Sequence, residues 1–134
     1  MRRMLRILVA IAAGFVVAFV VGRFCVLPLM RILLPSGLHA GGDFNWRSFW
    51  TRFAPLHVAH AVVVGVVIGR VSGIDRRIAV PGFVAIGLPM ALPSVIRLGI
   101  ARDADFVPVL AQTFLPLVGI LVGGLGIAAA GGRR

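Results

Sequence analysis

Four long apolar runs separated by short polar links organise the chain. They cover about residues 7–30, 53–69, 78–96 and 106–130. A helix that crosses the hydrocarbon of a bilayer needs about 20 predominantly apolar residues. The runs are continuous, whereas the strands of a membrane barrel alternate apolar and polar positions. β-Branched stretches such as residues 62–67 do not argue for strands, because in lipid only a helix or a closed barrel satisfies the backbone. The pattern predicts an all-α fold, a bundle of four transmembrane helices forming a single membrane domain over residues 1–134.

A fifth periodic stretch, about residues 44–53, precedes the second run. Trp46, Phe49, Trp50 and Phe53 follow one another at i, i+3, i+4 and i+7, the spacing of one helix face. Asn45, Arg47, Ser48, Thr51 and Arg52 take the other face. Asp43 is a candidate N-cap. The expectation is a short amphipathic helix in the membrane interface, separate from the second span and part of an aromatic belt. Its aromatic face either anchors that span or docks a lipid or a partner subunit.

Composition then fixes the solvent. Of the 134 residues 60% are hydrophobic and 13% charged, where a soluble domain is about 25% charged. A cytosolic enzyme, a nucleic-acid-binding domain and a disordered tail are excluded. The net charge of +10 comes from 14 basic residues, all Arg, against four Asp. Those arginines, Arg23 apart, sit between the apolar runs and form no stripe, so no nucleic-acid partner is expected and the bilayer is the first partner. Arg2, Arg3, Arg6, Arg70, Arg76, Arg77, Arg133 and Arg134 fall on one side of a four-span topology. Arg31, Arg47, Arg52, Arg97 and Arg102 fall on the other. The excess places both termini on the cytoplasmic side, in a bacterial cytoplasmic membrane. The first run follows a basic start but reaches no small-residue cleavage site, so it reads as an uncleaved anchor.

Few residues carry chemistry. Arg23 lies late in the first run and either snorkels to the surface or pairs with Asp103 or Asp105, which flank Ala104 in an outer loop. Arg97 is expected to mark the outer end of the third run. That run holds Pro81, Pro89 and Pro93, which predict a kinked or broken helix. His57 and His60, three residues apart on one face, are candidates for cofactor binding, because histidine inside a membrane segment is a functional hint. Gln112 and Thr113 are polar neighbours in the fourth run. Gly119 and Gly123 have the small-residue spacing that lets helices approach closely, within one bundle or between copies. Cys25, the single cysteine, reads as a buried inert thiol. No metal-ligand spacing exists, and no cofactor is expected.

No nucleophile elbow, phosphate-binding loop or zinc-protease motif is present. The expected function is therefore a non-catalytic accessory subunit or a homo-oligomeric membrane protein. A small dimeric transporter or channel is the alternative, its path bordered by His57, His60, Pro89, Gln112 and Thr113. In size alone the chain resembles the small multidrug transporters and the dual-topology fluoride channels. The membrane glutamate of the former has no counterpart here, and no site carries over. A subunit holding haem or quinone near His57 and His60 is a second alternative.

Overall fold

A computed structural model describes residues 1–38, 44–73, 75–100 and 103–131. The side chains of residues 76, 90, 91, 93–95, 97–100, 103–105 and 125–131 lie outside that description. The fold is all-helical, with no strand among the described residues. Its elements are α1 (Arg2–Leu33), α2 (Trp46–Val71), α3 (Arg76–Ile100) and α4 (Asp103–Gly131). Three stretches are long and apolar enough to cross a membrane: α1, α2 and the Phe106–Gly124 part of α4. In α3 the described apolar stretch, Arg77–Pro89, is shorter.

Some of these expectations change. The aromatic stretch is not a separate interfacial helix, because α2 runs without a break from Trp46 to Val71. Asn45 caps it, its Oδ1 accepting from the Ser48 N–H at 2.9 Å; Asp43, the expected cap, lies outside the described residues. Of the two outcomes expected for α3, a kinked or a broken helix, the break does not occur, since the helix continues past all three prolines. Asp103 and Asp105 belong to the first turn of α4 rather than to a loop. Their position suits the positive end of the helix dipole.

Both α1 and α2 widen for one π turn, at Gly22–Val26 and Phe49–Phe53. The two places share a sequence feature. Pro28 and Pro55 each stand two residues beyond the turn. A proline ring clashes with the carbonyl four residues back and offers it no N–H; those carbonyls belong to Phe24 and Thr51, inside the turns. Opening the turn to an i→i−5 bond moves the carbonyl away from the ring. The Leu27 N–H accordingly donates to Gly22 O, and the Ala54 N–H to Phe49 O.

Close approaches fix how the helices stack. α1 and α2 are antiparallel, with Gly14 against Ile68 and Gly22 against His60. α2 and α4 are parallel, with Val58 and Ala61 against Gly119 and Val62 against Gly123. α3 and α4 are antiparallel, with Gly87 against Leu117 and Phe83 against Gly124. α1 and α3 are parallel, with Gly14 near Ile86 and Gly82 near Ala10. Around the molecule the order is therefore α1, α2, α4, α3. Ala61, Val64, Ile68, Ile86 and Ile120 form the buried centre. Ile68 fits there only because Gly14 and Gly82 lack side chains: a Cβ on either would come within 2.7 and 2.8 Å of it.

The end of the molecule that holds the N-terminus is tied together by arginine. The Arg6 guanidinium donates to Ser72 O at 3.3 Å and that of Arg3 to Arg77 O at 3.5 Å. Gly73 (φ +66°) turns the chain there, a conformation that costs glycine little. Asp75 opens α3, its Oδ1 accepting from the Arg77 N–H at 2.9 Å.

Candidate functional site

The sequence candidates gather at the opposite end, where α1 finishes and α2 begins. The π turn of α2 arranges its aromatics unequally. Phe49 is fully buried. Trp46 and Trp50 meet it edge-on at 5.7 and 5.0 Å between ring centres, and Phe53 stacks on it at 5.3 Å. Phe53 in turn stacks on the His57 ring at 3.9 Å. Phe49, Phe53 and His57 thus form a column along one side of α2, four residues apart. Trp46 and Trp50 stay 38% and 55% exposed, outside the column. The helical face predicted from spacing therefore splits into a buried half and an exposed half.

Polar groups on the other side of the turn serve the backbone. The Thr51 hydroxyl donates to Arg47 O at 2.7 Å. Arg52 reaches across to α1 and donates to Leu33 O at 2.8 Å. That carbonyl closes the C-terminus of α1, where helices leave acceptors without intrahelical partners. A cation there also meets the negative end of the helix dipole.

Both histidines are half-buried and hydrogen-bonded to carbonyls. His57 Nδ1 lies 3.0 Å from Phe53 O in its own helix. His60 Nε2 lies 3.0 Å from Ala18 O in α1. A carbonyl only accepts, so the proton sits on Nδ1 of His57 and on Nε2 of His60. His57 Nε2 and His60 Nδ1 are the ring atoms left to accept a hydrogen bond or bind a metal. Among the described residues no three His, Cys, Asp or Glu side chains come together as a metal set. His60 also packs on Gly22, where α1 begins to widen; a Cβ there would stand 3.3 Å from its Cε1.

Thr113 is buried, and its hydroxyl donates back to Val109 O at 2.8 Å. Gln112 is half-buried and lines a cavity of about 370 Å³ with the end of α1 and Phe53. Arg23 is exposed on the outer side of α1. The side chains of Arg97, Asp103 and Asp105 lie outside the described residues, and so does the proposed pairing of Arg23. Gly119 and Gly123 face α2 within the chain. Cys25 is not buried: it is exposed in the π turn of α1.

Two features escaped the sequence reading. The π turns had no sufficient signal: an X-Pro step follows each, yet Pro81, Pro89, Pro93, Pro108 and Pro116 stand in regular α-helix. The cavity had none, since three separate elements build it and Arg31 read only as an orientation mark. No family model, curated protein or solved structure matches this chain.

Proposed function

We propose that the chain is a four-span membrane protein that acts as a non-catalytic accessory subunit or as a self-associating assembly. In this reading all four helices form a transmembrane bundle, and both termini face the cytoplasm of a bacterial cell. The observation that carries it is where the polar side chains go. His57, His60, Arg52 and Thr113 are bound to backbone carbonyls. Arg52 and His60 tie α2 to α1, and His57 and Thr113 bond back within their own helices, rather than converging on a reacting centre. Around them the outside is apolar, with large exposed side chains such as Phe15, Phe19, Phe24, Leu88 and Phe114. Such a surface suits lipid or another membrane helix.

The four-span reading is supported by the arginines. Arg6 binds the α2–α3 link and Arg3 the first turn of α3, which gathers the cations of one end as the positive-inside rule requires. About 20 helical residues, or about 30 Å, counted from Ile7 place the other boundary near Leu27 on α1. The aromatic turn of α2 and Gln112 of α4 stand close to that level.

Extraction in a mild detergent followed by native mass spectrometry tests the proposal. A mass above the 14.2 kDa chain, from copies or a co-purifying membrane subunit, is expected. A partner-free monomer that moves ions, protons or cationic dyes in proteoliposomes would replace it with the transporter reading. A haem absorbance band, or a quinone in the organic extract, would replace it with the redox reading.

A further inference from the structure

The cavity of about 370 Å³ lies between the last turns of α1, the π turn of α2 and α4. Leu27, Met30, Leu34 and Phe53 give it apolar walls, and two polar side chains, Arg31 and Gln112, reach its lining. It is an open cleft, and its mostly apolar wall with a few polar groups is the lining of a small-molecule site. Arg52 is not among the lining residues; its guanidinium donates to Leu33 O beside the cavity. That bond ties the end of α1 to the start of α2.

The charge of the lining is one-sided. Asp75 is the one carboxylate whose side chain the structure describes, and it caps α3 at the other end. An arginine beside an apolar chamber, with no described acid next to it, suits an anion that carries a hydrocarbon chain. With the membrane placement proposed above, the chamber stands at the outer boundary of the hydrocarbon, where lipid phosphates lie.

We infer that this cavity binds one anionic phospholipid. Arg31 and the Gln112 amide hold its phosphate, and the upper part of one acyl chain lies against Leu27, Met30, Leu34 and Phe53. Guanidinium and phosphate form strong charge-assisted hydrogen bonds. A choline or ethanolamine headgroup finds no carboxylate among the described lining residues, so anionic lipids are preferred over zwitterionic ones. This inference rests on the membrane reading.

The test is native mass spectrometry of the detergent-purified chain with added phosphatidylglycerol or phosphatidylcholine. One phosphatidylglycerol per chain should be retained about tenfold more tightly than phosphatidylcholine, as for one charge-assisted contact. Arg31→Gln should lose about that factor. Leu38→Trp, which fills the cavity but keeps the charge, should lose it too. Arg47→Gln, equal in charge change but outside the lining, should bind as the parent does. Equal retention in all variants, or equal retention of both lipids, overturns the site. Arg31→Gln and Arg47→Gln weakening binding alike would reduce it to general surface charge and also overturn it. Phase partition in a cloud-point detergent, run on the same samples, separates this failure from that of the membrane reading: a chain that stays in the aqueous phase refutes the latter.

Discussion

Phe49 and Trp50 are adjacent aromatics with opposite surroundings. Phe49 is fully buried and touches four other rings, whereas Trp50 is 55% exposed. Truncating a buried Phe to Ala costs about 3–5 kcal/mol. An edge-on ring contact alone is worth about 0.5–1.5 kcal/mol. Thermal unfolding in detergent should therefore show a large drop in midpoint for Phe49→Ala and a small one for Trp50→Ala. The reverse order would mean that the column does not hold the start of α2. Spacing alone grouped the four aromatics correctly. It could not rank them, because burial depends on which neighbouring helix lies beside each ring. The histidines show the same limit: their place in the second run was legible, while their carbonyl partners, one of them 42 positions away, were not.

At the scale of the element, the apolar runs located the helices but misplaced their ends. α2 starts at Trp46 because a polar-faced aromatic stretch is as helical as the apolar run that follows it, and hydropathy alone draws a line between them. The π turns are a subtler case. A turn closed by an i→i−5 bond holds one residue more than an α turn. Deleting Cys25, inside the turn, should let α1 close toward regular helix, with a carbonyl returned to the Pro28 ring, while the segment beyond keeps its facing. Leu33 then still meets Arg52. Deleting Val17 from the regular part rotates everything beyond it by about 100° and carries Leu33 away from Arg52. The expected result is a smaller loss of unfolding temperature for the Cys25 deletion than for the Val17 deletion. Equal losses would argue that the wide turn is not the extra residue it is taken to be. The substitution Cys25→Ala, at an exposed position, should change stability by no more than about 0.5 kcal/mol.

At the scale of the whole molecule, neighbour order is what the sequence withheld. α2 and α3 are joined by a short turn yet lie across the diagonal, while α2 packs closely on α4. The glycines explain the choice. Gly65 faces the Ile120 backbone, and Gly123 faces the Val62 carbonyl so closely that a Cβ could not be fitted without movement. Gly123→Ala should push α2 and α4 apart and cost about 1–3 kcal/mol, read as a lower unfolding midpoint in detergent. An unchanged midpoint would remove the close approach as the reason for this order. The same parallel pairing bears on topology. α2 and α4 run in one direction, and α1 and α3 in the other, so a chain whose α2 crosses the bilayer carries α4 across in the same sense. The α1–α2 link and the start of α4 then share one side, and the α2–α3 link and the C-terminus share the other. In a Cys25→Ala background, Ser36→Cys should react with a membrane-impermeant maleimide on intact cells, and Asp75→Cys only after permeabilisation. A fluorescent protein that matures only in the cytoplasm should shine when fused to the C-terminus. A dark fusion combined with the expected labelling would mean that α3 does not cross, leaving three spans and an α4 that enters from the other side. The packing argues against that outcome, because an α4 reversed relative to α2 could not bring Gly119 to Val58 and Gly123 to Val62 together.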